Sequence, residues 1–256
     1  MNETPLSGQV ALITGAASGI GEAASRAIAD AGASVAALDR DAAGLDRVVT
    51  ELESGGARAL ALRLDLADTQ SIPAAVAEVL AAFGRIDILV NCAGLYGEPG
   101  TILEQSEENW DRVHTINLKA PFLLMQQVGR HMVERGGGGR IVNVSSSSAF
   151  RAQRSIPPYG SSKAALVQLT RSAASDLGPH DINVNAVAPG LTATGMTREV
   201  GDDEQLREMV TSGPLENLFQ RVSQPEDVAA AILFLCLPAS RQVTAQTIHT
   251  SAGAVV

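Results

Sequence analysis

Tyr159 and Lys163 are four positions apart, which on a helix places both side chains on one face, one turn apart. A tyrosine phenol titrates near pH ~10 and is a poor base by itself. A nearby ammonium favours the phenolate, but lowering the pKa to ~7 requires roughly 4 kcal/mol, which is more plausible in a partly desolvated pocket holding a second positive charge. The pair is therefore a candidate proton-transfer device. The alternative is a ring packed under a lysine stem, so the surrounding elements decide.

The first of these elements is a glycine-rich turn. Residues 10–13 form a short apolar run, the sequence from Thr14 to Gly21 carries Gly15, Gly19 and Gly21, and a helical pattern covers residues 22–31. Strand, glycine-rich turn and helix make up the context of a phosphate-binding loop, because glycines admit a pyrophosphate and the helix N-terminus presents free N–H groups. The spacing G-x-x-x-G-x-G differs from the common G-x-G-x-x-G, and an ordinary tight turn is the alternative.

Asp39 ends the second predicted strand, residues 34–38, and lies 24 residues beyond Gly15. An acidic residue in this position can bind a ribose diol and would repel the 2′-phosphate of NADP, so the sequence favours NAD. Arg40 follows directly, and its guanidinium could accept that phosphate or simply face solvent.

Strand and helix patterns then alternate, which predicts an α/β fold with right-handed crossovers and a parallel sheet. Further strands are predicted at residues 59–64, 86–90, 141–144, 182–188 and 243–249, with helices at 73–83, 159–175 and 225–235. Asp39, Asp65 and Asn91 fall at the carboxyl ends of strands, where ligands bind in such sheets. Residues 191–215, with a polar helix at 203–210, are interpreted as a mobile lid.

Pro121 lies four residues after Asn117. Proline has no N–H to donate to the Asn117 carbonyl, so we predict a kink that frees this carbonyl to hold a water near the site. The alternative is a bend whose carbonyl faces solvent. The helix is predicted to begin after Ser106 as N-cap.

Charge and composition exclude several classes of function. A net charge of −9 argues against nucleic acid and anionic membrane surfaces as partners. No apolar run approaches the ~18 residues that span a bilayer, and residues 1–8 show no signal-peptide pattern. Cys92 and Cys236 form no C-x-x-C motif and the four histidines share no ligand spacing, so no metal is expected. The expected location is the cytoplasm.

Taken together, these motifs resemble the short-chain dehydrogenase/reductase family along nearly the whole chain. They are the glycine turn, Asp65-Leu66, Asn91-Cys92-Ala93-Gly94, Asn117, Ser146, the Tyr159–Lys163 pair and Pro189-Gly190. The resemblance implies a single Rossmann-type domain, residues 1–256, with a doubly wound parallel sheet of about seven strands. It also implies an NAD(P)-dependent oxidoreductase that forms a homotetramer or dimer and acts on a small alcohol or ketone.

The resemblance also implies site roles. Tyr159 is the expected acid/base, Lys163 lowers its pKa and binds the nicotinamide ribose, Ser146 binds the substrate oxygen, and Asn117 holds a water linked to Lys163. Ser146 is chosen because the family places its serine thirteen residues before the tyrosine. The other expected cofactor contacts are Gly15, Ser18, Gly19, Ile20, Gly21, Asp39, Arg40, Asp65, Leu66, Asn91, Ala93, Gly94, Pro189, Gly190, Thr192 and Thr194.

The sequence departs from the family's usual motifs at two places, and two alternative functions have to be considered. Cys92 replaces a common asparagine, and residues 245–253 lack the family's aspartate and one glycine, which leaves the tetramer open. One rival is an NADPH-dependent 3-oxoacyl-thioester reductase, which must dock an acidic carrier and is disfavoured by the net charge and by Asp39. The other is a dinucleotide-binding regulatory protein without turnover, in which the tyrosine or lysine is often lost.

Overall fold

A seven-stranded parallel sheet forms the centre of the computed structural model, which describes residues 4–198 and 201–255. The strands are β1 (Val10–Thr14), β2 (Ser34–Asp39), β3 (Ala59–Arg63), β4 (Ile88–Asn91), β5 (Gly139–Val144), β6 (Ile182–Pro189) and β7 (Thr247–Thr250). Their spatial order is β3-β2-β1-β4-β5-β6-β7. The direction of winding reverses between β1 and β4, and this reversal opens a crevice at the carboxyl edge of the sheet. The predicted fold class is confirmed.

Helices cover both faces of this sheet. They are α1 (Gly19–Asp30), α2 (Ala42–Ser54), α3 (Ile72–Phe83), α4 (Glu107–His114), α5 (Ala120–Arg135), α6 (Pro157–Leu177), α7 (Gly195–Arg198), α8 (Asp203–Thr211) and α9 (Pro225–Cys236). Helices α1, α2 and α9 contribute to the hydrophobic core on one face, and α3, α5 and α6 to the core on the other.

The sequence of β1 shows why the sheet has two cores. Its five residues are all buried, as expected for a parallel strand covered on both faces. Ala11 and Ile13 join one core, whereas Val10 and Leu12 join the other, because successive side chains of a strand point to opposite faces. A continuous apolar run therefore places Thr14 and the glycine turn at the centre of the carboxyl edge.

Helix α2 is absent from the sequence-based prediction. Its apolar residues Leu45, Val48 and Leu52 are buried and follow helical spacing, so the periodicity was available in the sequence. Their burial against the sheet stabilises a helix that begins just after Asp39.

The last strand begins later than predicted, at Thr247 rather than at residue 243. Ala245 has a φ of +60°, which interrupts an extended strand. The side chain of Asn185 also donates to the Val243 carbonyl at 2.8 Å and accepts from the Gln246 N–H at 3.0 Å. Side-chain hydrogen bonds therefore replace part of the strand ladder at residues 243–246.

The helix that carries Asn117 is interrupted before Pro121, as predicted, but by a π-helical turn at Thr115–Lys119 between α4 and α5. Ser106 caps α4, since its side chain accepts from the Asn109 N–H at 3.1 Å, which confirms the predicted start. Whether the Asn117 carbonyl holds a water stays a prediction.

The segment predicted as a lid contains α7 and α8, and α8 matches the expected polar helix. Asp202 and Gln205 form a capping box at its start. Residues 199–200 of the segment lie outside the described residues. Across residues 4–198 and 201–255, no helix combines the length and apolar character needed to cross a bilayer.

Candidate active site

A cleft of about 390 Å³ opens at the carboxyl edge of the sheet. It is bounded by the turns after β1, β2, β3 and β4, the end of β5, one face of α6 and the segment after β6. It brings together most of the residues singled out from the sequence. These are Gly15, Ser18, Gly19, Ile20, Gly21, Asp39, Arg40, Asp65, Leu66, Ala93, Gly94, Ser146, Tyr159, Lys163, Pro189, Gly190, Thr192 and Thr194.

The glycine turn is packed so tightly that side chains would not fit. A Cβ on Gly21 would lie 2.0 Å from the Gly15 carbonyl oxygen, and a Cβ on Gly15 would lie 2.9 Å from the Ala93 Cα. Gly15 also has a φ of +69°, a conformation that glycine adopts readily. The turn thus presents bare backbone and the N-terminus of α1 to the cleft. This arrangement fits the pyrophosphate of a dinucleotide.

Asp39 is fixed beside the glycine turn by backbone hydrogen bonds. Its Oδ2 accepts from the Ala17 N–H and its Oδ1 from the Asp41 N–H, both at 3.1 Å. Each carboxylate oxygen retains lone pairs that a ribose diol can use. Arg40 is exposed beside it. Both groups are therefore available at the position where NAD and NADP differ.

Lys163 is buried and held by the strand next to it. Its Nζ donates to the Val144 carbonyl at 2.9 Å and lies 5.8 Å from the centre of the Tyr159 ring. Burial lowers the pKa of Lys163 to about 8. The helical spacing of the pair thus produces the shared location that the sequence argument required.

The direction of the Tyr159 shift differs from the expectation. Burial raises the pKa of Tyr159 above its ordinary value, although the hydrogen bond with Ser146 lowers it and the nearby Tyr96 raises it further. Lys163 is not among the groups that shift this pKa, and desolvation, which disfavours the charged phenolate, is the largest cause. In this structure the Tyr159 hydroxyl is therefore protonated at neutral pH.

Ser146 is the serine of the run 145–148 that interacts with Tyr159. Its Oγ accepts from the Ser148 N–H at 3.1 Å, and this bond orients the Ser146 hydroxyl just beyond the carboxyl end of β5. Ser145 also borders the cleft, but its Oγ donates to the Lys163 carbonyl at 2.9 Å. The neighbouring hydroxyls therefore have different environments.

Asn117 and Asn91 do not border the cleft. Asn117 is fully buried: its Oδ1 accepts from the Leu95 N–H at 2.7 Å and its Nδ2 donates to the Leu95 carbonyl at 2.9 Å. It thereby fixes the segment after β4. The Nδ2 of Asn91 donates to Asn143 Oδ1 on the neighbouring strand at 2.8 Å, so the Asn91 amide is directed along the sheet towards β5 and not towards the cleft.

Two residues that border the motifs make contacts that the sequence did not predict. Thr14 is buried, and its Oγ1 accepts from the N–H groups of Cys92 and Ala93 at 3.0 Å, which ties the ends of β1 and β4 together. Its position directly before Gly15 was the available signal. The ring of Tyr96 lies 5.0 Å from that of Tyr159, a long-range contact that no local pattern indicates.

Comparisons with known proteins agree with this architecture. A family model described as enoyl-(acyl carrier protein) reductase matches residues 15–255. The 3-oxoacyl-(acyl-carrier-protein) reductase of Thermotoga maritima is 39% identical over 252 residues, covering 98% of this chain and 99% of that protein.

Two solved structures were bound to different dinucleotides. A 7α-hydroxysteroid dehydrogenase complexed with NADH and 7-oxo glycochenodeoxycholic acid is 36% identical to this chain, with a TM-score of 0.91. The match covers 99% of this chain and 96% of that one. A short-chain dehydrogenase from Burkholderia cenocepacia in complex with NADP is 34% identical with a TM-score of 0.89, and covers 98% and 99%.

Proposed function

The chain belongs to the short-chain dehydrogenase/reductase family of NAD(P)-dependent oxidoreductases, and we propose that it transfers a hydride between NAD and a secondary alcohol or its ketone. One observation carries the proposal: Tyr159, Ser146 and Lys163 border the same cleft as the glycine turn and Asp39. The groups needed for proton transfer therefore lie beside the groups that fit a dinucleotide.

A bound dinucleotide supplies or accepts the hydride at its nicotinamide ring. Gly15, Gly19 and Gly21 would hold its pyrophosphate, and Asp39 would accept hydrogen bonds from its adenosine ribose. Lys163 would bind the nicotinamide ribose through its ammonium. Pro189, the last residue of β6, and Thr192, just beyond it, border the same cleft as Tyr159.

Residues of the protein transfer the proton that accompanies the hydride. In reduction, the Tyr159 hydroxyl donates its proton to the ketone oxygen, which becomes the hydroxyl of the product. In oxidation, the phenolate takes that proton back. Ser146 donates a hydrogen bond to the same substrate oxygen and so orients it. The raised pKa of Tyr159 means that its hydroxyl carries, at neutral pH, the proton that reduction requires.

The preference for NAD rests on Asp39. A 2′-phosphate would meet a carboxylate whose two oxygens are already oriented by backbone N–H groups. Relatives with NADH and with NADP are both known, so the comparison of NADH with NADPH turnover tests this preference directly.

The experiment that tests the proposal uses the two tyrosines of the chain. We expect Tyr159→Phe to abolish turnover of an alcohol and ketone panel of sugars, cyclic diols, steroids and acyl thioesters, while NADH binding followed by fluorescence is retained. Tyr96→Phe is the matched control, because it removes a neighbouring hydroxyl and should keep turnover. A Tyr159→Phe protein with kcat comparable to the parent would refute the assigned role.

A second candidate is reduction of a 3-oxoacyl thioester with NADPH. The Thermotoga maritima relative and the description of the family model favour it, whereas Asp39 and the net charge of −9 oppose it. Turnover of acetoacetyl-CoA with NADPH above that with NADH would support this candidate.

We further propose that the chain acts as a single catalytic domain with residues 191–215 as its substrate lid, as a homo-oligomer in the cytoplasm. The lid assignment is supported by the position of Thr192 and Thr194 at the cleft. The location is supported by Cys92 and Cys236, which are both unpaired.

A further inference from the structure

Lys163 is held at both ends by two consecutive residues of the chain. Its Nζ donates to the Val144 carbonyl at 2.9 Å, and its own main-chain carbonyl accepts from Ser145 Oγ at 2.9 Å. Ser145 is 3% exposed, so no bulk water competes for this hydroxyl. The end of β5 therefore fixes both the backbone and the ammonium of this lysine.

Side-chain hydrogen bonds join the end of β5 to α6 at two levels of the helix. Ser145 and Asn143 are two positions apart and so face the same side of the strand. Asn143 Nδ2 donates to Thr170 Oγ1 at 2.9 Å, two helical turns beyond Lys163. The Ser145 hydroxyl and the Lys163–Val144 contact hold the turn that carries Tyr159 and Lys163, and Ser145 is the one that anchors the main chain of this turn.

Directional bonds matter here because the remaining contacts of α6 with the sheet are largely apolar. Apolar contacts such as those of Ala174 and Leu177, which belong to the core between α6 and the sheet, are non-directional, whereas a hydrogen bond constrains distance and angle. A displacement of about 1 Å in a catalytic group can cost roughly 10²-fold in rate. Ser145 is also bonded covalently to Ser146, which binds the substrate oxygen in the proposed function.

We propose that Ser145 is a positioning residue. By holding the main chain of α6 at Lys163, its hydroxyl fixes the positions of Lys163 and Tyr159 relative to Ser146. The same two-residue piece of chain then presents one hydroxyl to the substrate and uses the other to anchor the helix that carries the proton donor. This inference rests on the proposed function, since it concerns the geometry of that reaction.

The test replaces the hydroxyl while keeping the fold. We expect Ser145→Ala to lower kcat by about 10- to 100-fold, to change the Kd for NADH, measured by fluorescence, by no more than about threefold, and to shift the alkaline limb of the kcat–pH profile. Ser145→Thr keeps the hydroxyl and should retain most of kcat. Ser147→Ala is the matched control, because Ser147 is similarly buried at 4% exposure but does not contact Lys163 through its hydroxyl among the hydrogen bonds described.

A second measurement reports on the anchor without turnover. Amide hydrogen exchange at residues 163–167 should become faster in Ser145→Ala and remain unchanged in Ser147→Ala. If Ser145→Ala does not fold, Ser145→Cys takes its place, because a thiol is a weak donor and should lose most of the same activity.

Three results would overturn the proposal: kcat in Ser145→Ala within about twofold of the parent, an equal loss in Ser147→Ala, or an equal loss in Ser145→Thr. If the parent binds NADH but turns over no member of the alcohol and ketone panel, the proposed function fails instead. Hydrogen exchange at residues 163–167 then still decides whether Ser145 anchors the helix.

Discussion

Replacing Lys163 by methionine should make the protein more stable while it removes activity. The pKa of this buried amine falls from 10.5 to about 8. At ~1.4 kcal/mol per pKa unit, burying the charged form costs about 3 kcal/mol relative to an exposed lysine. Methionine has a similar length and no charge. Its loss of the bond to the Val144 carbonyl costs about 1 kcal/mol, which leaves a net gain of about 2 kcal/mol in the free energy of unfolding.

The assay is urea and thermal unfolding at pH 7 without dinucleotide, because a ligand that binds only the folded protein would raise the apparent stability of the parent. A gain of about 2 kcal/mol corresponds to a rise in Tm of roughly 4–8 °C for a domain of this size. The chain has one other lysine, the exposed Lys119. Lys119→Met is therefore the matched control and should leave Tm nearly unchanged.

The pH dependence separates this explanation from better packing. Between pH 8 and pH 10.5 the folded parent has released the proton of Lys163 while the unfolded chain still binds it, so the stability of the parent rises with pH. The difference between Lys163→Met and the parent should then shrink across this window. A variant that is less stable than the parent at pH 7, or a difference that does not change up to pH 10.5, would refute the reasoning.

Three further predictions concern other parts of the molecule. Gly21→Ala should weaken NADH binding by more than about 100-fold, because its Cβ would lie 2.0 Å from the Gly15 oxygen; Gly178→Ala, which meets nothing within 4 Å, should bind NADH normally in the same fluorescence titration. Asp39→Ser should raise the ratio of kcat/KM for NADPH to that for NADH by about 10-fold or more, and an unchanged ratio would contradict the role of this carboxylate. His131 accepts a backbone N–H and burial lowers its pKa, so protonation opposes folding: Tm should fall as pH drops from about 7 to 5, and His131→Gln should flatten that profile.

The cofactor end of the site could be predicted from sequence because its determinants are local. The glycine turn that contains Gly15 and Gly21 follows one apolar run and Asp39 ends the next, so strand ends and spacing place them at one edge of the sheet. The Tyr159–Lys163 pair follows the same logic, since four positions on α6 bring both side chains to one face.

The remaining features depend on packing between distant segments. The pKa of Tyr159 is set by burial under parts of the fold far away in sequence, including Tyr96. The orientation of Asn91 could not be predicted either. Its side chain meets Asn143 because of the register between β4 and β5, and a shift of the register by one residue would turn it to the other face. The hydrogen bond from Ser145 to α6 likewise needs the docked helix before it can be seen.

The π-helical turn at Thr115–Lys119 makes segment length, and not only composition, a determinant of the site. A π turn contains one residue more than the α-helical turn it replaces, so everything before it is rotated by about 100° relative to an uninterrupted helix. Asn117 lies inside this turn and holds Leu95 through both amide atoms. Deleting one of the other residues of this turn would preserve every motif in the chain, yet it would rotate the Asn117 amide away from Leu95. In an alignment of relatives, we therefore expect this stretch to accept substitutions far more readily than gaps.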